Sequence, residues 1–270
     1  MTLPKRYWHE MTTREFAESD TSSWIAVLPV CAIEQHGPHL PVYTDTCIAE
    51  GMIGEVLSRL DDSLPVTFLP TQAVGKSNEH ISSPGTLTLS WDTLTRAWIE
   101  LGESVHRAGI RKLVLINSHG GNVPILDVVA RELRVRFDML VVATGWTRFG
   151  FPPDLFSKRE FTYGIHGGDM ETSVMLHLRP DLVNMELAED FLSTQLDMID
   201  EFRHLRGHGP VQFGWKAQDL NEAGTVGNAS IATSEKGRLT VEHQARGFIE
   251  LLDDVHRFDP DRLWRAPDNG

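Results

Sequence analysis

Four short apolar runs, separated by stretches of helical periodicity, constrain this chain more than any other feature it has. The runs occupy residues 24–30, 65–70, 111–117 and 139–144. Short, largely apolar runs of this kind read as strands covered on both faces. Between them, Ile48, Met52, Ile53, Val56, Leu57 and Leu60 recur at helical spacing over residues 45–60. Leu94, Trp98, Leu101 and Val105 do the same over 91–108, and Ile125, Val128, Val129 and Leu133 after Asn122. Strands alternating with helices predict right-handed βαβ units, hence an α/β fold of three layers, αβα, about a mostly parallel central sheet. A helix opening after His166 turns Met170, Val174, Met175 and Leu178 inward, and a last one over 241–255 carries Val241, Ala245, Phe248, Leu252 and Val255 on one stripe. Residues 185–235 read as irregular apart from a glycine turn at 223–227. No repeat or linker divides the chain, so residues 1–270 are expected to form a single domain.

Residues of metal-ligand type gather where such a sheet has its crevice, just beyond the carboxyl ends of the strands. The first run leads into PVCAIEQHGPHLPVYTD at 29–45, which holds Glu34, His36, His39 and Asp45. In an extended segment Glu34 and His36 project to one side, while His39 is out of phase with them. The third run ends in Ser118-His119-Gly120-Gly121-Asn122 at the head of a helix, which brings backbone N–H groups and His119 to the same edge. A further loop supplies His166 and Glu171. Taken singly, each reads as a solvated loop polar, and Thr44 or Asp45 as a helix cap. Together, with Ile33, Leu40 and Val42 close by, they would be costly to bury unless a cation joined them. Mixed imidazole and carboxylate donors suit Zn²⁺ or Mn²⁺, and one aspartate can bridge two ions. A two-metal hydrolytic centre follows, with ions about 3.5–4 Å apart that acidify a water and polarise a carbonyl, so that no covalent nucleophile is required.

Charge and composition exclude several other classes. The net charge of −13 argues against a nucleic-acid surface and favours a neutral or cationic small-molecule substrate. No run reaches the ~18 apolar residues of a membrane helix, and residues 1–16 lack a signal-peptide core, so the cytoplasm is the expected compartment and no membrane partner is expected. Cys31 and Cys47 are too few for a disulfide framework and read as small buried fillers, although Cys31 near Glu34 could be a thiolate. No G-x-G-x-x-G or P-loop follows a predicted strand, which removes a nucleotide-binding module. The aromatic loop at 146–153 reads equally as a pocket wall and as a packed loop. His9, His106, His177, His204, His208, His243 and His256 belong to no constellation.

Five motifs in order carry a resemblance: Glu34-Gln35-His36-Gly37 with Asp45; Glu79-His80 with Pro84-Gly85-Thr86; Asn117-Ser118-His119-Gly120-Gly121-Asn122; His166-Gly167-Gly168 with Glu171-Thr172-Ser173; and Ala232-Thr233-Ser234-Glu235-Lys236-Gly237. Spread over about residues 27–237, they resemble the creatininase (creatinine amidohydrolase) family. The resemblance implies a cytoplasmic, homohexameric hydrolase with two divalent ions, Zn and/or Mn, that opens cyclic amides or, in some branches, cleaves formamides. On the family pattern Glu34 and His36 each hold one metal, Asp45 bridges them and His119 completes one shell. His166 matches the catalytic histidine that handles the proton on the leaving nitrogen, and Glu171 is either a metal ligand or a support for one. Glu79, His80, Gly120 and Trp146 are the expected substrate contacts.

Three positions depart from the creatinine-hydrolysing pattern. Those members carry a metal-binding glutamate two residues after the histidine matching His119, a glutamate just before the catalytic histidine, and a tryptophan four residues before it. Here these are Gly121, Ile165 and Thr162. The Gly-Gly-Asn form looks more like a broader branch with formamide-cleaving and peptide-trimming members. The expectation is therefore metal-dependent cleavage of a C–N bond in a small cyclic amide, creatinine-like or lactam-type. The alternative is a deformylase acting on an N-formylamino heterocycle or nucleotide, with Lys76 and the turn at Gly120 holding a phosphate.

Overall fold

The computed structural model describes residues 3–264. The four predicted strands all form, as β1 (Ile25–Val30), β2 (Val66–Phe68), β3 (Lys112–Asn117) and β4 (Leu140–Gly145). They pair in parallel in the order β2-β1-β3-β4. Val30 lies level with Asn117, and Asn117 with Gly145, so β1, β3 and β4 end at one edge. The helices are α1 (Thr13–Glu18), α2 (Thr44–Arg59), α3 (Trp91–Arg107), α4 (Val123–Phe137), α5 (Lys158–Tyr163), α6 (Asp169–Leu178), α7 (Gln195–Glu201), α8 (Ala217–Leu220) and α9 (Ser234–Arg257).

Strand alternation builds the layers. Ala26, Leu28 and Val30 of β1, with Leu113 and Leu115 of β3, face a core closed by Leu94, Trp98 and Val105 of α3 and Ile125, Val129 and Leu133 of α4. Ile25, Val27, Val114 and Ile116 face the opposite core, closed by Met52, Ile53 and Val56 of α2 and by the expected stripe of α9, from Val241 to Val255. Each such side chain contributes about 1.5–3 kcal/mol on burial, so these two faces fix the three-layer order far more firmly than helix propensity does. Among the described residues no helix is long and apolar enough to cross a membrane.

Three local expectations are corrected. Val128, placed on the buried stripe of α4, is 49% exposed, and Leu126 lines the core instead, because it falls within the arc of Ile125, Val129 and Leu133. The last helix starts at Ser234, seven residues before its apolar stripe, where the Thr233 side chain accepts from Lys236 N (3.2 Å). Residues 185–235 hold α7, α8 and a small antiparallel pair, β5 (Asp190–Phe191) with β6 (Gly227–Asn228). These pieces are too short for periodicity to register.

Candidate active site

Past β1 the chain stays extended and folds back on itself, Glu34 N donating to Val42 O (3.0 Å) and Leu87 N to Ile33 O (2.8 Å). Glu34 and His36 are both about 1% exposed, as their shared phase predicts. Asp45, in the first turn of α2, is buried with Oδ1 3.6 Å from His36 Nε2 and Oδ2 3.3 Å from His119 Nδ1. An asparagine pair positions His119 beyond β3. Asn117 Oδ1 accepts from His119 N (3.1 Å), and Asn122 Nδ2 donates to Cys31 O (2.9 Å), tying that turn to the end of β1. Glu171 comes from the first turn of α6, its Oε2 3.9 Å from His36 Nε2 and accepting from Gly167 N (2.5 Å).

Backbone carbonyls fix the tautomers of three histidines. His36 Nδ1 donates to Glu34 O (3.0 Å), His119 Nε2 to Lys76 O (2.8 Å) and His166 Nε2 to Gln35 O (2.7 Å). A carbonyl only accepts, so the other nitrogen of each ring is the one free to take a proton or a metal ion. Those nitrogens face carboxylates. His119 Nδ1 lies 3.1 Å from Glu34 Oε1, and His166 Nδ1 lies 3.6 Å from the same oxygen. Glu34 Oε2, His36 Nε2 and Asp45 Oδ2 are buried with no hydrogen-bond partner.

The electrostatics report the same demand for positive charge. Burial would raise Glu34, yet His119, His166 and His80 around it hold its carboxyl well below the usual range. Burial would lower His36, but Asp45, Glu171 and Glu34 lift it to about 9. His119 is likewise raised, against its burial, by Glu34 and Asp45. Burial lifts the Glu171 carboxyl to about 7, with Asp45 and Glu34 adding to the rise and His36 opposing it. His166 goes the other way, lowered by burial and by His36 and His80, which keeps its ring neutral. Divalent cations fit this donor set, because neutral imidazole lone pairs and ionised carboxylates are the forms that bind metal. Glu34, Asp45 and His119 offer donor atoms within 4.8 Å of one another, and so do His36, Asp45 and Glu171, with Asp45 common to both groups. Glu34, His36 and His166 form a third, overlapping group.

The remaining expected residues are less uniformly placed. Buried His80 stacks on His166 (4.3 Å), and Glu79 lies behind His119, its Oε1 3.7 Å from Nε2. Gly120 is exposed at the turn. Trp146, expected at the substrate, is 3% exposed instead and meets Phe248 of α9 edge-on (5.0 Å), its Nε1 donating to Ser118 Oγ (3.1 Å). The aromatic loop at 146–149 is core packing here, because α9 covers it. His39 turns away from the cluster and holds the turn before α6, Nε2 meeting Gly167 O (3.0 Å) and Thr172 Oγ1 (2.9 Å); burial drives it down to about 4. Cys31 is buried and its thiol is pushed up, first by burial and then by Asp45, which suits a filler. Sequence reasoning passed over Gln35, whose buried amide reaches His80, and the Asn117–Asn122 bracket. Both stand inside recognised motifs, but their partners are distant in sequence.

The family model for creatininase, creatinine amidohydrolase, matches residues 9–252. The chain is 30% identical over 240 residues to the mycofactocin precursor peptide peptidase of Mycolicibacterium smegmatis, covering 88% of this chain and 87% of that protein. It is 29% identical over 259 residues to the creatinine amidohydrolase of Pseudomonas putida, covering 90% and 94%. A creatininase solved in a Mn form superposes with a TM-score of 0.73 at 26% identity, over 94% of this chain and 99% of that one. A Zn–Zn creatininase variant superposes with a TM-score of 0.74, with the same identity and coverage. Matched along nearly its whole length and sharing the creatininase layers, this chain belongs to the creatininase family of amidohydrolases.

Proposed function

We propose that the chain is a metal-dependent amidohydrolase that cleaves the C–N bond of a small cyclic amide, creatinine-like or lactam-type. The observation that carries this reading is the convergence of buried imidazole nitrogens on buried carboxylates, with Glu34 Oε2, His36 Nε2 and Asp45 Oδ2 left without hydrogen-bond partners. In it Glu34, Asp45 and His119 would hold one divalent ion and His36, Asp45 and Glu171 the other, with Asp45 common to both. Two such ions, Zn and/or Mn, supply an acidified water and a polarised carbonyl. His166, its Nδ1 bare and its Nε2–H tied to Gln35 O (2.7 Å), takes up a proton at Nδ1 and passes it to the leaving nitrogen. Glu171 orients the turn that carries His166 by accepting from Gly167 N. His80 and Glu79 flank the substrate.

Peptide cleavage is the second reading, supported by the similarity to the mycobacterial peptide peptidase. Deformylation has less support, because Lys76 Nζ is engaged by Asn78 and Glu79 and is not turned to a phosphate. Assembly as a cytoplasmic homohexamer completes the proposal, with exposed Ile81, Leu87 and Trp91 offering apolar surface for contacts between copies. Elemental analysis of the dialysed protein, together with assays on creatinine, lactams, hydantoins, formamides and short peptides, tests it. About two ions per chain and turnover of a cyclic amide are expected. Metal-free protein that turns over none of these after Zn²⁺ or Mn²⁺ loading would refute the reading.

A further inference from the structure

We propose that Gln35 is a positioning residue that holds His80 with Nε2–H turned into the site, making His80 the hydrogen-bond donor to the substrate beside the bare Nδ1 of His166. Only the substrate half of this inference rests on the amide-hydrolysis reading.

Gln35 lies between Glu34 and His36 and, by strand alternation, projects to the other side, where it is buried at 7% exposure. Both ends of its amide are assigned by their partners. Oε1 accepts from Gly37 N (3.0 Å), and Nε2 donates to the Gly224 carbonyl. The second amide hydrogen faces His80 Nδ1 at 2.8 Å. An amide nitrogen only donates, so Nδ1 of His80 is the acceptor and its ring hydrogen resides on Nε2. That Nε2 faces Glu34 Oε1 at 3.5 Å, an acceptor that favours the same tautomer. His166 Nε2 lies 3.2 Å from the Gln35 amide nitrogen, but its own hydrogen goes to the Gln35 backbone carbonyl. One residue therefore holds two rings in the Nε2–H tautomer, His166 through its carbonyl and His80 through its side chain, and leaves the bare Nδ1 of His166 and the Nε2–H of His80 toward Glu34.

The glycine turn at 223–227, which the proposed chemistry does not otherwise use, has its reason here. Gly224 has φ +74°, and a Cβ on it would sit 2.7 Å from Gln35 Oε1. Only glycine lets that carbonyl close over the amide. The two rings stack at 4.3 Å and 26° and share a small cleft with Trp215, Leu220 and Val226. His80 Nε2 and His166 Nδ1 both face Glu34 Oε1, at 3.5 and 3.6 Å, so a group that reaches this carboxylate meets a donor and an acceptor side by side, the pairing that an amide's oxygen and nitrogen require.

Nitrogen-15 NMR of the metal-loaded protein, labelled at histidine, reads the tautomers directly, with the His80 signals identified by their loss in His80→Phe. The expected pattern is a protonated Nε2 and a bare Nδ1. Gln35→Glu, which accepts where Gln35 donates, moves the hydrogen to Nδ1, and Gln35→Met, which adds no charge, leaves the two tautomers mixed. A wild-type hydrogen on Nδ1, or a pattern unmoved in both variants, overturns the positioning role. The kinetic arm uses creatinine, 2-pyrrolidone and formamide as probes. Loss of the donor in His80→Phe should lower kcat about 10²–10³-fold with KM little changed, while His80→Gln, which keeps an N–H, recovers most of the loss. An unaltered kcat in His80→Phe at normal metal content overturns the donor role. Failure of every probe with wild-type protein would count against the hydrolysis reading, and the tautomer measurement would still decide for or against Gln35.

Discussion

At Gly121 a single missing atom bears on which carboxylate would serve the second ion of the proposed centre. A Cβ there would lie 2.3 Å from Glu79 Oε1, 2.4 Å from Lys76 O and 2.5 Å from His119 Nε2. The glutamate carried at this position by the creatinine-hydrolysing pattern has no room unless this wall moves, and Glu171 approaches His36 from α6 instead. Gly121→Ala should therefore destabilise the protein by about 1–3 kcal/mol through overpacking, read as a lower urea midpoint. An unchanged midpoint would mean that the turn yields freely. Residue by residue, the sequence exposed what is local. Glu34, His36 and Asp45 sit within one loop, and His119 follows a clear strand, so spacing together with the family resemblance brought them forward. The approach of Glu171, the inward turn of Gln35 and the burial of Trp146 depend on helices far along the chain, and no spacing rule reaches them.

The turn leading into α6 is the element on which the site's second half hangs. Glu160 of α5, 2% exposed, accepts from Asp169 N (2.6 Å) through Oε1 and from Asn228 N (3.0 Å) through Oε2. It thereby staples the start of α6 to β6. Burial raises this carboxyl, and the amides of Asn228 and Asp169 pull against the rise. Glu160→Ala should cost about 1–3 kcal/mol for each amide left buried and unpaired. It should also lower metal content toward one ion per chain, because His166 and Glu171 lose their anchor while Glu34, Asp45 and His119 keep theirs. Urea unfolding and elemental analysis check the two effects, and full occupancy with normal stability would show that the staple is dispensable. The sheet and its large helices were legible because buried parallel strands leave unbroken apolar runs and one-sided helices leave a periodic stripe. The pairing of β5 with β6 was not, since two-residue strands carry no period and take their place from tertiary contacts.

For the molecule as a whole, the candidate centre ties together segments that otherwise meet only at the sheet edge: the loop after β1, the turn after β3 and the start of α6, which packs against α2 and α9. On the proposed two-ion reading, stripping the ions would leave the carboxylates of Glu34, Asp45 and Glu171 to be met by the His36 and His119 rings alone. Chelation should therefore lower Tm by about 5–10 °C, as expected for ligands present at a hundredfold or more over Kd, and Mn²⁺ or Zn²⁺ should restore it. A Tm indifferent to chelator would separate the cluster from metal. The same layout has a consequence for synthesis. A chain emerging from its amino end presents Glu34, Asp45 and His119 before His166 and Glu171, so on the proposed two-ion reading the donors of one ion are synthesised before the residues that complete the other.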